Sequence, residues 1–316
     1  MRSDSTPRVR GERGNLYQEI TDRIISELEQ GRFPWVQPWD AENANLGLPK
    51  NAATARRYSG INILILWGAV IEKSFRGQNW LTFRQALTLG GCVRKGEKGT
   101  TVFYADRFIP KSELERAQRT GDDPSAIPFL KRFTVFNVEQ CDGLPETAFA
   151  GIAPLPERQV IPHAEGLIKA TAADFRIGGR RAFYQTADDF IQVPPQPSFF
   201  QQIDYYRTCF HELGHWTGAK HRLARDHSGR FGSHPYAREE LVAEMSSAFV
   251  CAALGITPTV RHTDYLASWL EVLKEDNHAV FRAASQASKA ADFILAFEAG
   301  AMPESEAAGA RNPQPP

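Results

Sequence analysis

The sequence predicts an α+β protein, with an N-terminal half in which helices and short strands alternate and a second half built mainly from helices. Three patterns carry that expectation. Apolar residues recur at helical spacing between Asn15 and Gln30, and again through most of the chain after Pro162. Two runs rich in β-branched and aromatic residues, TTVFYADRF from Thr100 and KRFTVFNV from Lys131, read as strands. Between the two regimes runs DGLPETAFAGIAPLPERQVIP, where Pro145, Pro154, Pro156 and Pro162 interrupt any regular pattern.

From Asn15 to Gln30, the side chains of Leu16, Ile20, Ile24, Ile25 and Leu28 fall on one helical face, and Gly31 follows as a stop. Pro34, Trp35, Pro38 and Trp39 mark an extended aromatic stretch. Ser59 to Val70 and Thr82 to Leu89 read as the next two helices, and Gly90-Gly91 turns the chain toward the strands. The polar insert KSELERAQRTGDDPSAIP between the strands is expected to form a short helix and a loop. In the second half, helices are expected over 163–173, 202–219, 237–253, 261–274 and 278–298, with a short strand near Arg181 to Tyr184. The segment 300–316 is small, polar and proline-rich, and is expected to be disordered because it has too little apolar surface to offset the entropy of ordering. These features divide the chain into a domain over 14–143, a linker over 144–162 and a domain over 163–299.

Hydrophobic residues make up 42% of the 316, and charged residues 23%, enough apolar material for a buried core. No run approaches the roughly 20 apolar residues of a membrane span; Ile61 to Ile71 is too short and contains Asn62. No hydrophobic segment follows the basic N-terminus, so a secretory route is not expected. Cys92, Cys141, Cys209 and Cys251 are widely spaced, without a Cys-x-x-Cys pair, and read as reduced thiols. A cytoplasmic protein fits both observations. Lys+Arg and Asp+Glu each total 37, which excludes a globally basic nucleic-acid coat. The positive excess is local: residues 1–110 hold 16 basic against 11 acidic side chains, a weak pointer to nucleic acid.

The sharpest signal is His211-Glu212-Leu213-Gly214-His215. On a helix, His211 and His215 share a face and can present two imidazole nitrogens to one ion, with Glu212 beside them as general base. Two neutral imidazoles and a carboxylate leave a zinc ion Lewis acidic, with a fourth position for water. The plainer alternative is two helix-face histidines that only pack. Downstream, YAREELVAEMSSAFV carries Glu240 and Glu244 on one helical face. One of them can complete the metal site while the other orients a ligand histidine through its free ring N–H. Glu240 is assigned to the metal and Glu244 to the supporting place, although the two could exchange roles. His221, His227 and His234 are weaker ligand candidates, and Tyr236 could donate to an oxyanion.

In the first half, cations are interleaved with aromatic and polar residues in three clusters: Arg56, Arg57, Tyr58 and Asn62; Trp80, Thr82, Phe83, Arg84 and Gln85; and Arg94, Lys95 and Lys98 near Phe103 and Tyr104. Single-stranded nucleic acid is bound in this way, with cations tracking phosphates and rings stacking on bases. Trp and Phe at such spacing are also ordinary core residues. The glycine-rich turn GGCVRKGEKGTTV could bring backbone N–H groups and three cations to one anionic strand.

Taken together, YQEITDRIISELEQG, ARRYSGINILIL, NWLTFRQALTLGGCVRKGEKGTTVFY, FTVFNVEQCDGL, HELGHWTGAKHRL and YAREELVAEM resemble the ArdC-type antirestriction proteins, from about Asn15 to Phe297. The resemblance implies an N-terminal single-stranded-DNA-binding domain, a C-terminal zincin-like metallopeptidase domain holding zinc or another divalent metal, and protection of incoming plasmid DNA during conjugation. DNA-bound proteins such as restriction enzymes would be the peptidase substrates. Two other readings stand beside it: a non-catalytic DNA-coating protein with structural zinc, and a metal-dependent hydrolase of another bond. Glu212 favours hydrolysis, since a purely structural site needs no general base.

Overall fold

Helix α1 (Gly11–Glu29) starts four residues before the predicted helix and stops where Gly31, at φ +72°, takes the left-handed conformation that glycine adopts without strain. The computed structural model describes residues 11–35, 47–120, 125, 127–149, 157–230, 232–256 and 265–298. The predicted disordered tail, the later part of the Pro34–Trp39 stretch and the start of the helix expected from 261 lie outside these residues. Ile24, Ile25 and Leu28 of α1 are buried as the periodicity predicts.

Strand β1 (Lys50–Asn51) precedes α2 (Ile61–Glu72), the apolar run of the sequence. That run is hydrophobic on nearly every side because α2 lies between two cores. Ile61, Ile63, Leu64 and Trp67 join the main cluster, while Leu66, Ala69 and Val70 pack with Trp80, Val102 and Val135. Then follow β2 (Asn79–Thr82), α3 (Phe83–Thr88), β3 (Cys92–Val93), β4 (Thr100–Phe108), α4 (Lys111–Thr120), β5 (Ile127–Asn137) and β6 (Cys141–Asp142). One sheet has the order β1-β2-β5-β4, with β1 parallel to β2 and β5 antiparallel to both its neighbours. The short pair β3-β6 carries a third small core of Leu81, Ala86, Val138, Cys141 and Ala148.

The second half opens with α5 (Glu157–Ala170), which contains Pro162. Reading Pro162 as a break is therefore corrected: one backbone donor is lost, but Ala164 and Leu167 are buried and hold the helix in place. A three-stranded sheet of β7 (Asp174–Ile177), β8 (Phe183–Gln185) and β9 (Phe190–Val193) follows in the order β7-β9-β8, with β8 at the edge. Helices α6 (Gln202–Trp216), α7 (His234–Ala253), α8 (Leu266–Glu275) and α9 (Ala279–Ala296) complete the described chain. Among the described residues, no helix is long and apolar enough to cross a membrane.

Helix α7 is the axis of this half. Ser233 caps it, accepting the Tyr236 N–H at 3.4 Å, and Pro235 occupies the first turn, where its missing donor costs little. From Glu239 to Ala252 every residue is buried. Helix α6 lies tightly against it: a β-carbon added at Gly214 would stand 3.1 Å from the Ala243 Cα. The first half is packed onto the same core. Trp67 of α2 meets Phe249 of α7 edge-on at 5.6 Å, and Trp35 meets Trp269 of α8 at 5.6 Å. Thr21 donates to the Asn277 carbonyl at 2.8 Å, and the Gly60 N–H donates to Ser288 Oγ at 2.7 Å.

Candidate metal centre

His211 and His215 lie one turn apart on α6, their rings 4.9 Å centre to centre, and both face Glu240 of α7. Nε2 of His211 is 3.5 Å from Glu240 Oε2, and Nε2 of His215 is 3.6 Å from Oε1. A tetrahedral ion with ligand bonds of about 2.0–2.1 Å separates neighbouring ligand atoms by about 3.4 Å. The three side chains therefore fit one small divalent cation, and their donor set of two imidazoles and a carboxylate suits it chemically. The close approach at Gly214 makes this reach possible, because Glu240 sits less than one turn before the contacted Ala243.

The far ring nitrogens are also engaged. Nδ1 of His215 is 3.2 Å from Glu239 Oε1, a carboxylate that holds the ring proton on Nδ1 and turns Nε2 toward Glu240. Nδ1 of His211 faces Glu244 at 3.7 Å. Glu244 thus lies behind His211, away from the three converging ligand atoms, and Glu240 lies among them. Glu239 is in turn gripped by Arg225, which also donates to Thr217 Oγ1 at 2.8 Å and to the Gly214 carbonyl at 2.6 Å.

These contacts outweigh burial. Burial alone would push the Glu239 and Glu240 carboxyls up. His215 and Arg225 pull Glu239 down to about 2, and His215 with His211 pulls Glu240 down to about 2. Burial would lower His215, but Glu240, Glu239 and Glu212 raise it to about 9. The centre is a buried patch rich in negative charge, the environment that stabilises a bound cation.

A cleft of ≈ 300 Å³ opens over His211, His215 and Glu240. Glu212 lines it, and so do Tyr236, Tyr265, His227 and the edge strand β8 through Phe183 and Tyr184. The Tyr236 and Tyr265 hydroxyls are 3.0 Å apart. Burial, Tyr265 and then Glu240 push the Tyr236 hydroxyl up, so it remains a proton donor at neutral pH. Of the weaker sequence candidates, His227 and Tyr236 line the cleft. His221 lies instead beside Asp189, and His234 beside Glu271 and Glu275. Strand β8 is anchored over α6 by Tyr184, which donates to Asp189 at 2.8 Å, and by Arg222, which binds Asp189 and stacks 3.9 Å from the Trp216 ring centre. The sequence reading missed Arg225, Tyr265 and the part played by Glu239. Only Glu239, one residue from Glu240 in an acidic helix, left any signal.

The nucleic-acid candidates divide by exposure. Trp80 is fully buried in the core beneath α2. Asn62 is buried and clamps β4, donating to the Phe103 carbonyl at 2.7 Å and accepting its N–H at 2.8 Å. Thr82 and Gln85 form the capping box of α3, and Gln85 Oε1 also accepts from Asn51 at 3.0 Å. Tyr58 is half-buried against the core under α2. Arg94 binds Glu97 at 2.8 Å and the Glu139 carbonyl at 2.6 Å. Arg56, Arg57, Arg84, Lys95 and Lys98 are exposed.

Comparison with known proteins covers both halves. Residues 14–136 match the N-terminal domain of anti-restriction factor ArdC, and residues 162–286 match a zincin-like metallopeptidase family. The chain is 37% identical over 307 residues to the uncharacterized protein y4eC of Sinorhizobium fredii, covering 96% of this chain and 97% of that one. It is 38% identical over 297 residues to a DNA primase TraC of Escherichia coli, covering 90% of this chain but only 20% of the primase. Crystal structures of the antirestriction ArdC protein from plasmid R388 superpose with a TM-score of 0.74 in metal-free and Mn(II)-bound forms. The metal-free form is 39% identical and covers 91% of this chain and 99% of the other; the Mn(II)-bound form is 38% identical and covers 90% and 98%.

Proposed function

Because the chain belongs to the ArdC antirestriction family, we propose that it is a cytoplasmic single-stranded-DNA-binding protein that protects incoming plasmid DNA from restriction, using a zinc metallopeptidase centre. The observation that carries the enzymatic part is the convergence of His211, His215 and Glu240 on one point beneath a cleft that Glu212 also lines. A buried site without a catalytic role has no use for an additional carboxyl facing substrate space.

His211, His215 and Glu240 would hold the cation, zinc in this reading; manganese is the metal in the R388 relative's structure. Such a cation, when bound, polarises a carbonyl and acidifies water. Glu212 accepts the proton of the attacking water and returns it to the leaving amine. Tyr236 and Tyr265 bring hydroxyl donors to the same cleft, where a negative oxygen develops in amide hydrolysis. DNA binding by the first half would bring this cleft to proteins on the same strand, restriction enzymes among them.

The test is plasmid transfer into a restricting host with wild type, Glu212→Gln and His211→Ala, with metal content measured on each purified protein. Peptidase-based protection predicts stoichiometric zinc in wild type and Glu212→Gln, and loss of protection in both variants. Full protection by Glu212→Gln would leave the DNA-coating reading in its place.

A further inference from the structure

Among the described residues of the first half, helix α3 shows the two most exposed large apolar side chains to solvent. Ala86 is its one fully buried residue, and Gln85 turns inward to the capping box and to Asn51. Phe83 and Leu87, four residues apart and so on one face, are 53% and 52% exposed, and Arg84 beside them is exposed as well. Phe149, 44% exposed, directly follows Ala148, which shares the small core with Ala86. Phe83 and Leu87 leave about half of their surface in water, a paired apolar area that a bound partner would cover.

The surrounding charge says what that occupant is. No acidic residue occurs in 50–71 or in 79–96, whereas Lys50, Arg56, Arg57, Arg84 and Lys95 do; Arg94, also in the second run, is paired with Glu97 and Asp142. The hydrogen bond from Asn51 to Gln85 ties the turn carrying Arg56 and Arg57 to α3. An exposed ring on a segment whose neighbouring runs carry cations and no acid suits a polyanion with flat apolar faces. We propose that the outward face of α3, formed by Phe83, Arg84 and Leu87, is where the bases of single-stranded DNA stack, with Phe83 as the stacking ring and Arg84 on a phosphate. This rests on the DNA-binding reading above and locates its contact surface, which the buried Trp80 cannot supply.

The test is fluorescence anisotropy of a labelled mixed-sequence 20-nucleotide single strand at several salt concentrations. The variants are Phe83→Ala, Phe83→Trp, Leu87→Ala, Arg84→Ala and the control Ile177→Ala, which removes an exposed apolar group of the second half. All five changes are at exposed positions, and circular dichroism checks that each variant is folded. Phe83→Ala should weaken binding roughly 5- to 100-fold with an unchanged salt slope, and Phe83→Trp should retain it. Arg84→Ala should make the salt slope shallower by about 0.7, the loss of one phosphate contact on a single strand. The control should bind as wild type does. If wild type binds while Phe83→Ala, Leu87→Ala and Arg84→Ala all match it, this surface is wrong and the DNA-binding reading survives. If wild type does not bind, the reading itself fails and takes the surface with it. Self-association of wild type that Phe83→Ala abolishes, without change in DNA affinity, would mark α3 as a protein interface and overturn the proposal.

Discussion

The guanidinium of Arg225 and the carboxylate of Glu239 meet edge to edge, Nε 3.0 Å from Oε2 and Nη2 2.7 Å from Oε1, deep beside the candidate metal centre. Both side chains are at least nine-tenths buried, and the same Glu239 oxygen that receives Nη2 faces His215 Nδ1. The pair therefore holds the His215 imidazole in position from behind, through a fork whose geometry a lysine cannot reproduce.

Arg225→Met should weaken divalent metal binding by about 10- to 100-fold, the usual range for losing a partner behind a ligand histidine. Arg225→Lys should restore little of it. Competition against a chromophoric chelator gives the affinity directly, with no substrate needed. Wild-type affinity in Arg225→Met would mean that Glu239 finds its place without the fork.

Gly214 sets how closely α6 approaches α7, and Glu240 can reach both histidines only at that separation. A Cβ there would stand 3.1 Å from the Ala243 Cα and 3.3 Å from its carbonyl oxygen, backbone atoms that cannot swing aside. Alanine would add up to about 1 kcal/mol of helix propensity. The overpacking costs about 1–3 kcal/mol and should prevail. Gly214→Ala is expected to lower the thermal midpoint and also the metal affinity, whereas a Gly→Ala change that only relieved chain entropy would raise the midpoint.

Asn62 was read from sequence as a nucleic-acid contact because it follows two arginines and a tyrosine. Its amide instead satisfies both backbone groups of Phe103, locking α2 to β4. Asn62→Leu should destabilise by about 2–4 kcal/mol, as two buried backbone groups lose their partners. Chemical denaturation measures that loss. The same variant, assayed while fully folded, should bind single-stranded DNA like wild type.

What was legible in the sequence follows from the range of each signal. The His211–His215 spacing and the Glu240–Glu244 spacing are helical periods, which depend on neighbouring residues alone. Arg225 reaches Glu239 from a loop whose path only the tertiary fold sets, so no local pattern announces it. Strands β7 and β9 went unread because Asp174 and Arg176 flank Phe175, and because β9 is too short to show its alternation. The apolar run of α2 was read as a helix, but its packing between two cores needed the sheet to be in place. Trp80 shows the converse: its basic and polar neighbours suggested a surface, and the position of β2 within the sheet buries it completely.

Metal removal should act on stability more than on DNA binding. Glu239, Glu240, Glu244 and Glu212 are all buried at or beside the two ligand histidines, and Arg225 is the guanidinium bound to this cluster. A cation that binds the folded chain alone adds about 2.7 kcal/mol when present at 100 times its dissociation constant. For a chain of 316 residues each 1 kcal/mol moves the thermal midpoint by roughly 1.5 °C, so chelation should lower it by about 4 °C. The exposed face of α3 lies in the first half, among strands and turns that contribute no ligand to the centre. Single-strand affinity measured below the lowered midpoint should therefore stay within about twofold of the metal-loaded protein, since distant sites without shared partners usually contribute additively. Differential scanning calorimetry and anisotropy with and without chelator check the two halves separately. An affinity that fell together with the midpoint would show that the common core of Trp67, Phe249 and their neighbours couples the candidate metal centre to the proposed face of α3.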